Sequence, residues 1–149
     1  IDITAYRKAI RAAFHTSGFI HYNDMYEYAD GIGEAIDSIE RLVKEGFAQE
    51  AMPLCEYAFE QAASVIGDLD DSDGHFGDIC ERLGGIHLAA CKAVKPDPVE
   101  LAKRLFEFEM MDSDLDLFYD TPQVYKTILG KLGLAEYRRL AEKEWSRIE

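Results

Sequence analysis

The sequence lacks the features of several protein classes. Cysteine occurs only three times, at Cys55, Cys80 and Cys91, and an odd number in a chain of this length does not indicate a disulfide framework. No stretch approaches the ~20 apolar residues of a membrane span. The first residues show no signal-peptide pattern. We therefore predict a cytoplasmic protein whose cysteines are small buried side chains.

Positive charge is also scarce in this chain. There are 16 Lys and Arg residues against 29 Asp and Glu residues, which gives a formal net charge of -13. A surface of this kind repels phosphate backbones, so direct nucleic-acid binding is not expected. The same surface favours a protein or peptide partner that carries basic residues, or another domain of the same chain.

Alternation of apolar and polar residues is missing as well, so no segment is predicted to be a strand. Apolar residues instead recur every three or four positions, which is the period of a helix packed on one face. This pattern predicts seven helices. They cover about residues 3–14, 23–45, 48–69, 76–94, 98–111, 124–132 and 134–148.

Short breaks separate the predicted helices. Very short links at Gly46, at 96–98 and at Gly133 would force neighbouring helices to run antiparallel. We predict a single all-α domain over residues 1–149, built of stacked hairpins as a short, irregular α-solenoid of the tetratricopeptide type. A closed seven-helix bundle is the alternative. Because the chain begins at Ile1 without Met, it is expected to be a fragment of a longer protein.

Proline and glycine refine these helix limits. Asp97 is a plausible N-cap for a helix with Pro98 in its first turn. Pro53 fits only a first turn, which would move the start of the third helix towards Glu50. The second and fourth helices are predicted to continue through their glycine pairs because the apolar stripes stay in phase. Those pairs are Gly31 with Gly33, and Gly84 with Gly85.

Several stretches resemble a known protein region. They are similar to the uncharacterised helical region that follows the SWIM zinc finger in a group of bacterial proteins. The similar stretches are 70–79, 87–93, 96–98, 133–138 and 140–142, with Trp145. The resemblance implies a tetratricopeptide-like array in a cytoplasmic protein and brings no catalytic residues. The finger needs a Cys-x-Cys pair and a later Cys-x-His, which this chain lacks, so the finger would lie outside it.

The acidic loop Asp68–Asp73, followed by His75, is the one place where the sequence offers metal ligands or acid–base chemistry. It does not match a calcium-binding EF-hand loop, because the ligand positions at both ends are occupied by Leu69 and Cys80. We expect a polar turn in which Ser72 or Asp73 caps the next helix. A metal-dependent or enzymatic domain that uses this loop is the alternative.

No other pattern predicts catalysis or a cofactor. The four histidines are scattered, and His87, beside an apolar stripe, is predicted to be a hydrogen-bonded packing residue. No nucleophile elbow or phosphate-binding loop occurs. We therefore expect no catalytic residue, no cofactor and no metal site, and the leading hypothesis is a non-enzymatic protein-interaction module.

The second helix carries a row that suits such a module. Aromatic and acidic residues follow one another at helical spacing beside the buried stripe. We predict that the two tyrosines are exposed, that they flank an acidic strip, and that the row contacts a partner. The row consists of Tyr22, Tyr26, Asp30, Glu34 and Asp37.

Overall fold

The computed structural model describes residues 1–111 and 121–148, without the side chain of Ile148. Across these residues the chain is all-helical and has no β-strand, so the predicted fold class is confirmed. The α-helices are α1 (Ile3–Phe14), α2 (Met25–Lys44), α3 (Ala48–Val65), α4 (His75–Val94), α5 (Pro98–Met111), α6 (Thr121–Val124) and α7 (Lys126–Ile148). Short 3₁₀ turns cover Tyr22–Asp24 and Ile66–Asp68. Within the described part, no helix combines the length and apolar character needed to cross a bilayer.

The chain forms two compact units, Ile1–Ala93 and Val94–Glu149. The first unit contains α1 to α4, and α1, α2 and α3 all pack against one another. The second unit contains α5 to α7, in which α7 packs against both α5 and α6.

The core of the first unit consists of apolar residues that recur every three or four positions. This spacing places them on one face of each helix. Phe14 of α1 meets Phe76 of α4 edge to face, with ring centroids 6.2 Å apart. Burying one such side chain contributes roughly 1.5–3 kcal/mol. Side chains with almost no exposure include Ile10, Phe14, Met25, Ile32, Ile36, Ile39, Leu54, Phe76 and Leu83.

The link between α2 and α3 is a tight glycine-dependent turn. Gly46 has φ +91°, the left-handed conformation that glycine adopts with little strain. The Phe47 amide donates to the Leu42 carbonyl at 2.8 Å, and the Gly46 amide donates to the Val43 carbonyl at 3.2 Å. These two bonds are the Schellman pattern, which satisfies the last carbonyls of a helix. The stop predicted at Gly46 is therefore confirmed.

Two predictions about α2, α3 and α4 have different outcomes. Helices α2 and α4 continue through their glycine pairs, as predicted. A Cβ on Gly33 would meet Cδ1 of Ile79 at 3.4 Å, an ordinary van der Waals contact, so Ile79 of α4 lies against α2 at this point. The predicted shift of the α3 start towards Glu50 is wrong. Helix α3 begins at Ala48 and holds Pro53 in its interior, because burial of its apolar face outweighs the hydrogen bond that proline cannot donate.

The acidic loop is held by backbone and side-chain hydrogen bonds. Ile20 and Leu69 form an isolated parallel bridge, in which the Ile20 amide donates to the Asp68 carbonyl at 2.8 Å and the Asp70 amide donates to the Ile20 carbonyl at 2.9 Å. The Asp71 carboxylate accepts the amides of Phe76 at 2.8 Å and Gly77 at 2.9 Å.

Asp71 therefore caps α4. The prediction that Ser72 or Asp73 does so is wrong, because the loop folds back and brings an earlier carboxylate over the first turn. Ser72 instead contacts the side chain of Asp70, which also accepts its amide at 3.2 Å.

The second unit confirms one predicted helix end and corrects another. The Asp97 carboxylate accepts the Glu100 amide at 3.0 Å, as an N-cap does. The predicted break at Gly133 is wrong, because α7 is interrupted at Gly130, with φ 59° and ψ -164°. Gly133 has another role: a Cβ there would lie 3.0 Å from the Pro98 carbonyl oxygen and closer still to Leu129, so glycine permits close packing on α5. The connector predicted over 112–120 lies outside the described residues.

Candidate functional site

The predicted row on α2 lies on the surface of the first unit. All five of its side chains are exposed. Four of them occupy the face of α2 next to the buried stripe, whereas Tyr22, predicted on the same helix, lies in the 3₁₀ turn that precedes α2. Tyr22 is 59% exposed and Tyr26 is 68% exposed. The predicted exposure of both tyrosines is confirmed; their contact with a partner stays a prediction.

Part of this row faces a cleft between α2 and α4. The cleft has a volume of about 290 Å³. Tyr26 and His75 meet edge to face across it, with ring centroids 5.6 Å apart and planes at 84°. The side chains of Ala29 and Ile79 supply apolar lining. The complete lining is Tyr26, Ala29, Asp30, His75, Asp78, Ile79 and Arg82.

Arg82 closes one end of the cleft by joining the two helices. Its guanidinium donates to the carboxylates of Asp37 and Glu40, the latter at 3.2 Å. The hydrogen bond to Asp37 is the main cause that raises the pKa of Arg82 above its ordinary value. Asp37, predicted as part of the partner-binding row, thus forms an exposed ion pair with α4. Glu40 also forms an ion pair with Lys44 at 3.7 Å, so the two carboxylates at this end are matched by two cations.

Two carboxylates face the other end of the cleft from opposite walls. Asp30 belongs to α2, Asp78 belongs to α4, and both are exposed. Neither forms an ion pair or hydrogen bond through its side chain with another residue in the described ranges. Carboxylates that are not paired with a cation attract positive groups from outside.

The predicted row is thus only partly a single site. Tyr26 and Asp30 line the cleft, Asp37 contacts its Arg82 wall, and Tyr22 and Glu34 lie outside the lining. Sequence reasoning missed Asp78 and Arg82. They lie four residues apart on α4, so the helical spacing places both on the same side of this helix. Only the packing of α4 on α2 shows that this side lines the cleft.

Two groups that the alternative hypothesis uses have other contacts. Both oxygens of Asp71 accept backbone amides, and the His75 ring meets Tyr26 edge to face in the cleft. In the part of the chain that the structure describes, no three His, Cys, Asp or Glu residues are grouped as metal ligands.

A second polar cluster lies inside the first unit. His87 has no exposed surface, its Nε2 lies 3.1 Å from the Glu56 carboxylate, and its ring packs against Phe59. The predicted role of His87 as a hydrogen-bonded packing residue is confirmed. The Sγ of Cys91 lies 3.7 and 3.8 Å from the two ring nitrogens. The thiol is fully buried.

Comparison with known proteins gives no relative. No family model, no curated protein and no solved structure matches this chain.

Proposed function

We propose that this chain is a non-enzymatic interaction module that binds a protein segment rich in basic and apolar residues. The binding site is the α2–α4 surface, defined as the row Tyr22, Tyr26, Asp30, Glu34 and Asp37 together with the cleft beside it. The single observation that carries the proposal is the exposed ring of Tyr26 at the edge of an acidic cleft.

Aromatic exposure is the first support for this proposal. Tyrosine combines a large apolar ring with a hydroxyl that remains hydrated, and it is enriched among the residues that dominate binding energy at interfaces. Tyr22, in the 3₁₀ turn before α2, and Tyr26, in the first turn of α2, are both exposed. A partner that covers them would bury apolar area now in contact with water.

Charge is the second support. The α2–α4 surface carries more carboxylates than cations, and Arg82, the cation in the cleft lining, is already bound by Asp37 and Glu40. Such a surface speeds association with a basic partner and disfavours an acidic one. The proposed partner therefore presents Lys or Arg beside apolar side chains, as in helix-in-groove or extended-peptide recognition.

The wider setting is part of the same proposal. We place the protein in the cytoplasm, since Cys55, Cys80 and Cys91 are buried thiols of the kind found in reducing compartments. We also propose a tetratricopeptide-like helical array, with any zinc finger elsewhere in a longer chain. The alternative metal-dependent or enzymatic role has less support, because the carboxylate of Asp71 already caps α4.

A display selection tests the binding function. A random peptide library is selected on the purified protein, and the enriched peptides are resynthesised and titrated by fluorescence polarisation. We expect enrichment of peptides that combine Lys or Arg with apolar residues. Tyr26→Ala should weaken their binding about tenfold, because loss of a buried interface aromatic removes more than ~1 kcal/mol.

A matched variant controls for general effects. Trp145, on α7 in the other unit, also has an exposed ring, at 66%. Trp145→Ala removes that aromatic ring outside the α2–α4 surface and should leave peptide binding unchanged. Tyr26→Ala should keep the helical circular dichroism of the parent chain, since its ring is 68% exposed. Selection of acidic peptides, or equal binding by Tyr26→Ala, would contradict the proposal.

A further inference from the structure

The chain itself supplies an example of what the cleft binds. Arg82 reaches from α4 to α2, and its guanidinium is held between the carboxylates of Asp37 and Glu40. A guanidinium is planar and presents its donors as a fork, so it can satisfy two carboxylates at once. One end of the cleft therefore already contains an arginine side chain bound by acids on α2.

The other end repeats the acids without the arginine. Asp30 and Asp78 face the same cleft from α2 and α4. Among the described residues, neither side chain has a cationic partner. Two like charges lining one cleft repel each other, and a cation placed between them would relieve this repulsion. The exposed ring of Tyr26 borders the same space.

We infer that this end of the cleft binds the side chain of an arginine in the partner. The inference rests on the proposed function and specifies its anchor residue. The guanidinium donates to Asp30 on one wall and to Asp78 on the other, its plane lies against the Tyr26 ring, and its methylene groups cover Ala29 and Ile79.

Arginine fits this site better than lysine. Lysine presents one compact, strongly hydrated charge, whereas the flat guanidinium has a fork of donors and stacks on aromatic faces. Cation–π contacts in proteins accordingly involve arginine more often. The cleft volume of about 290 Å³ is in keeping with one long side chain rather than a folded segment. The rest of the partner would then lie along Tyr22 and Glu34.

Short blocked peptides test the anchor directly. The ¹⁵N-labelled protein is titrated by NMR with acetyl-Gly-Arg-Gly-amide, with its lysine counterpart, and with the citrulline counterpart. Citrulline has nearly the shape of arginine but is neutral. We expect millimolar binding of the arginine peptide, with amide shifts concentrated in residues 26–34 and 75–82. The lysine peptide should bind several-fold more weakly and the citrulline peptide at least tenfold more weakly.

A charge-matched pair of variants locates the site. Asp30→Asn with Asp78→Asn should weaken binding of the arginine peptide about tenfold, since both carboxylates that accept its guanidinium lose their charge. Glu60→Gln with Glu107→Gln removes the same charge at exposed positions outside the cleft, and should leave the affinity within about twofold.

The outcomes separate this inference from the proposed function. Equal binding of the citrulline peptide, shifts outside the two segments, or an unaffected Asp30→Asn, Asp78→Asn variant would each overturn the arginine anchor. If the selected peptides still bind and still depend on Tyr26, the interaction module stands without this anchor. If the arginine peptide binds in the cleft but the selection enriches no basic peptide, the anchor stands and the proposed function fails.

Discussion

Neighbouring residues on α2 have opposite environments. Met25 is 1% exposed, whereas Tyr26, the next residue, is 68% exposed. Successive side chains on a helix point about 100° apart, so one step along the chain leads from the core to solvent. The sequence pattern locates this boundary, because Met25 belongs to the stripe continued by Ala29 and Ile32.

Burial also changes the acid–base properties of single side chains. It raises the pKa of the Cys55 thiol above its ordinary value of 9.0, with the nearby Cys91 and Glu56 adding to the effect. Burial likewise raises the pKa of Tyr28, whose hydroxyl donates to the Phe14 carbonyl at 2.6 Å. Both groups stay protonated in the folded chain at a pH where the unfolded chain ionises them.

The free energy of unfolding should therefore fall above pH 9. A folded-state pKa that is raised contributes stability below the unfolded pKa and loses it as pH rises. Each such group adds a slope of up to about 1.4 kcal/mol per pH unit above its unfolded pKa. We expect Cys55→Ala to reduce this slope between pH 9 and 10.5, measured by urea unfolding with reductant present.

The control for this experiment is Ile39→Val. It alters a side chain with no exposure and costs about 0.5–1.5 kcal/mol, but removes no ionisable group. Its curve should be lower than that of the parent chain and parallel to it. A Cys55→Ala curve parallel to the parent between pH 9 and 10.5 would contradict the assignment.

At the scale of helices, the sequence predicts a helix end well when a single capping residue or glycine determines that end. Asp97 is a cap in the sequence and in the structure, and Gly46 ends α2 in both. Gly130 and Gly133 show where this fails. Either glycine could end a helix. The structure interrupts α7 at Gly130, whereas Gly133 lies within the helix and packs closely on α5.

Only the α2 wall of the cleft could be predicted from the sequence. The α2 wall follows from the row beside the buried stripe, and Tyr26 and Asp30 were identified in this way. The α4 wall depends on which face of α4 meets α2. That choice is set by contacts between distant residues, such as Gly33 with Ile79 and Arg82 with Asp37. Spacing along α4 alone does not define it.

Two glycine substitutions, one in the middle of α2 and one just after its end, test the roles of these glycines in its stability. Gly31 is exposed within the helix, and a Cβ there would have no atom within 4 Å beyond its immediate surroundings. Gly31→Ala should therefore raise the free energy of unfolding by about 0.5–1 kcal/mol. Gly46→Ala should lower it by about 1–2 kcal/mol, because its φ of +91° strains any other residue.

Urea denaturation of the two variants, followed by circular dichroism, gives both values. Each variant serves as the control for the other, because both add one methyl group to a glycine at or near α2 but should change the free energy of unfolding in opposite directions. A destabilised Gly31→Ala would show that α2 meets a neighbour at this point.

At the scale of the whole molecule, the net negative charge belongs to the entire chain, whereas the proposed binding site lies in one unit. The chain has a formal net charge of -13, yet the two carboxylates of the proposed arginine anchor are distinguished by their position in a cleft rather than by their charge. The entire α2–α4 surface belongs to the unit Ile1–Ala93. Its binding properties are therefore set by the packing of α1 to α4.

The bridge between Ile20 and Leu69 has a consequence for the order of folding. It closes a loop that contains all of α2 and α3. Closing a flexible loop of that length costs on the order of 3 kcal/mol in chain entropy, and two hydrogen bonds contribute only about 1 kcal/mol each. The bridge is therefore expected to form after α2 and α3 have packed and brought the segments at Ile20 and Leu69 together.

Hydrogen exchange makes this order visible. The amides of Ile20 and Asp70 donate the two bonds of the bridge, so they should exchange with deuterium at similar rates, and both should exchange faster than the amides of Ile36 and Leu54 in the helical core. Protection at Ile20 and Asp70 equal to that of the core would contradict a late closure. In the expected case, the bridge opens and recloses many times during each lifetime of the folded helices, and the loop leading into Tyr22 is released each time.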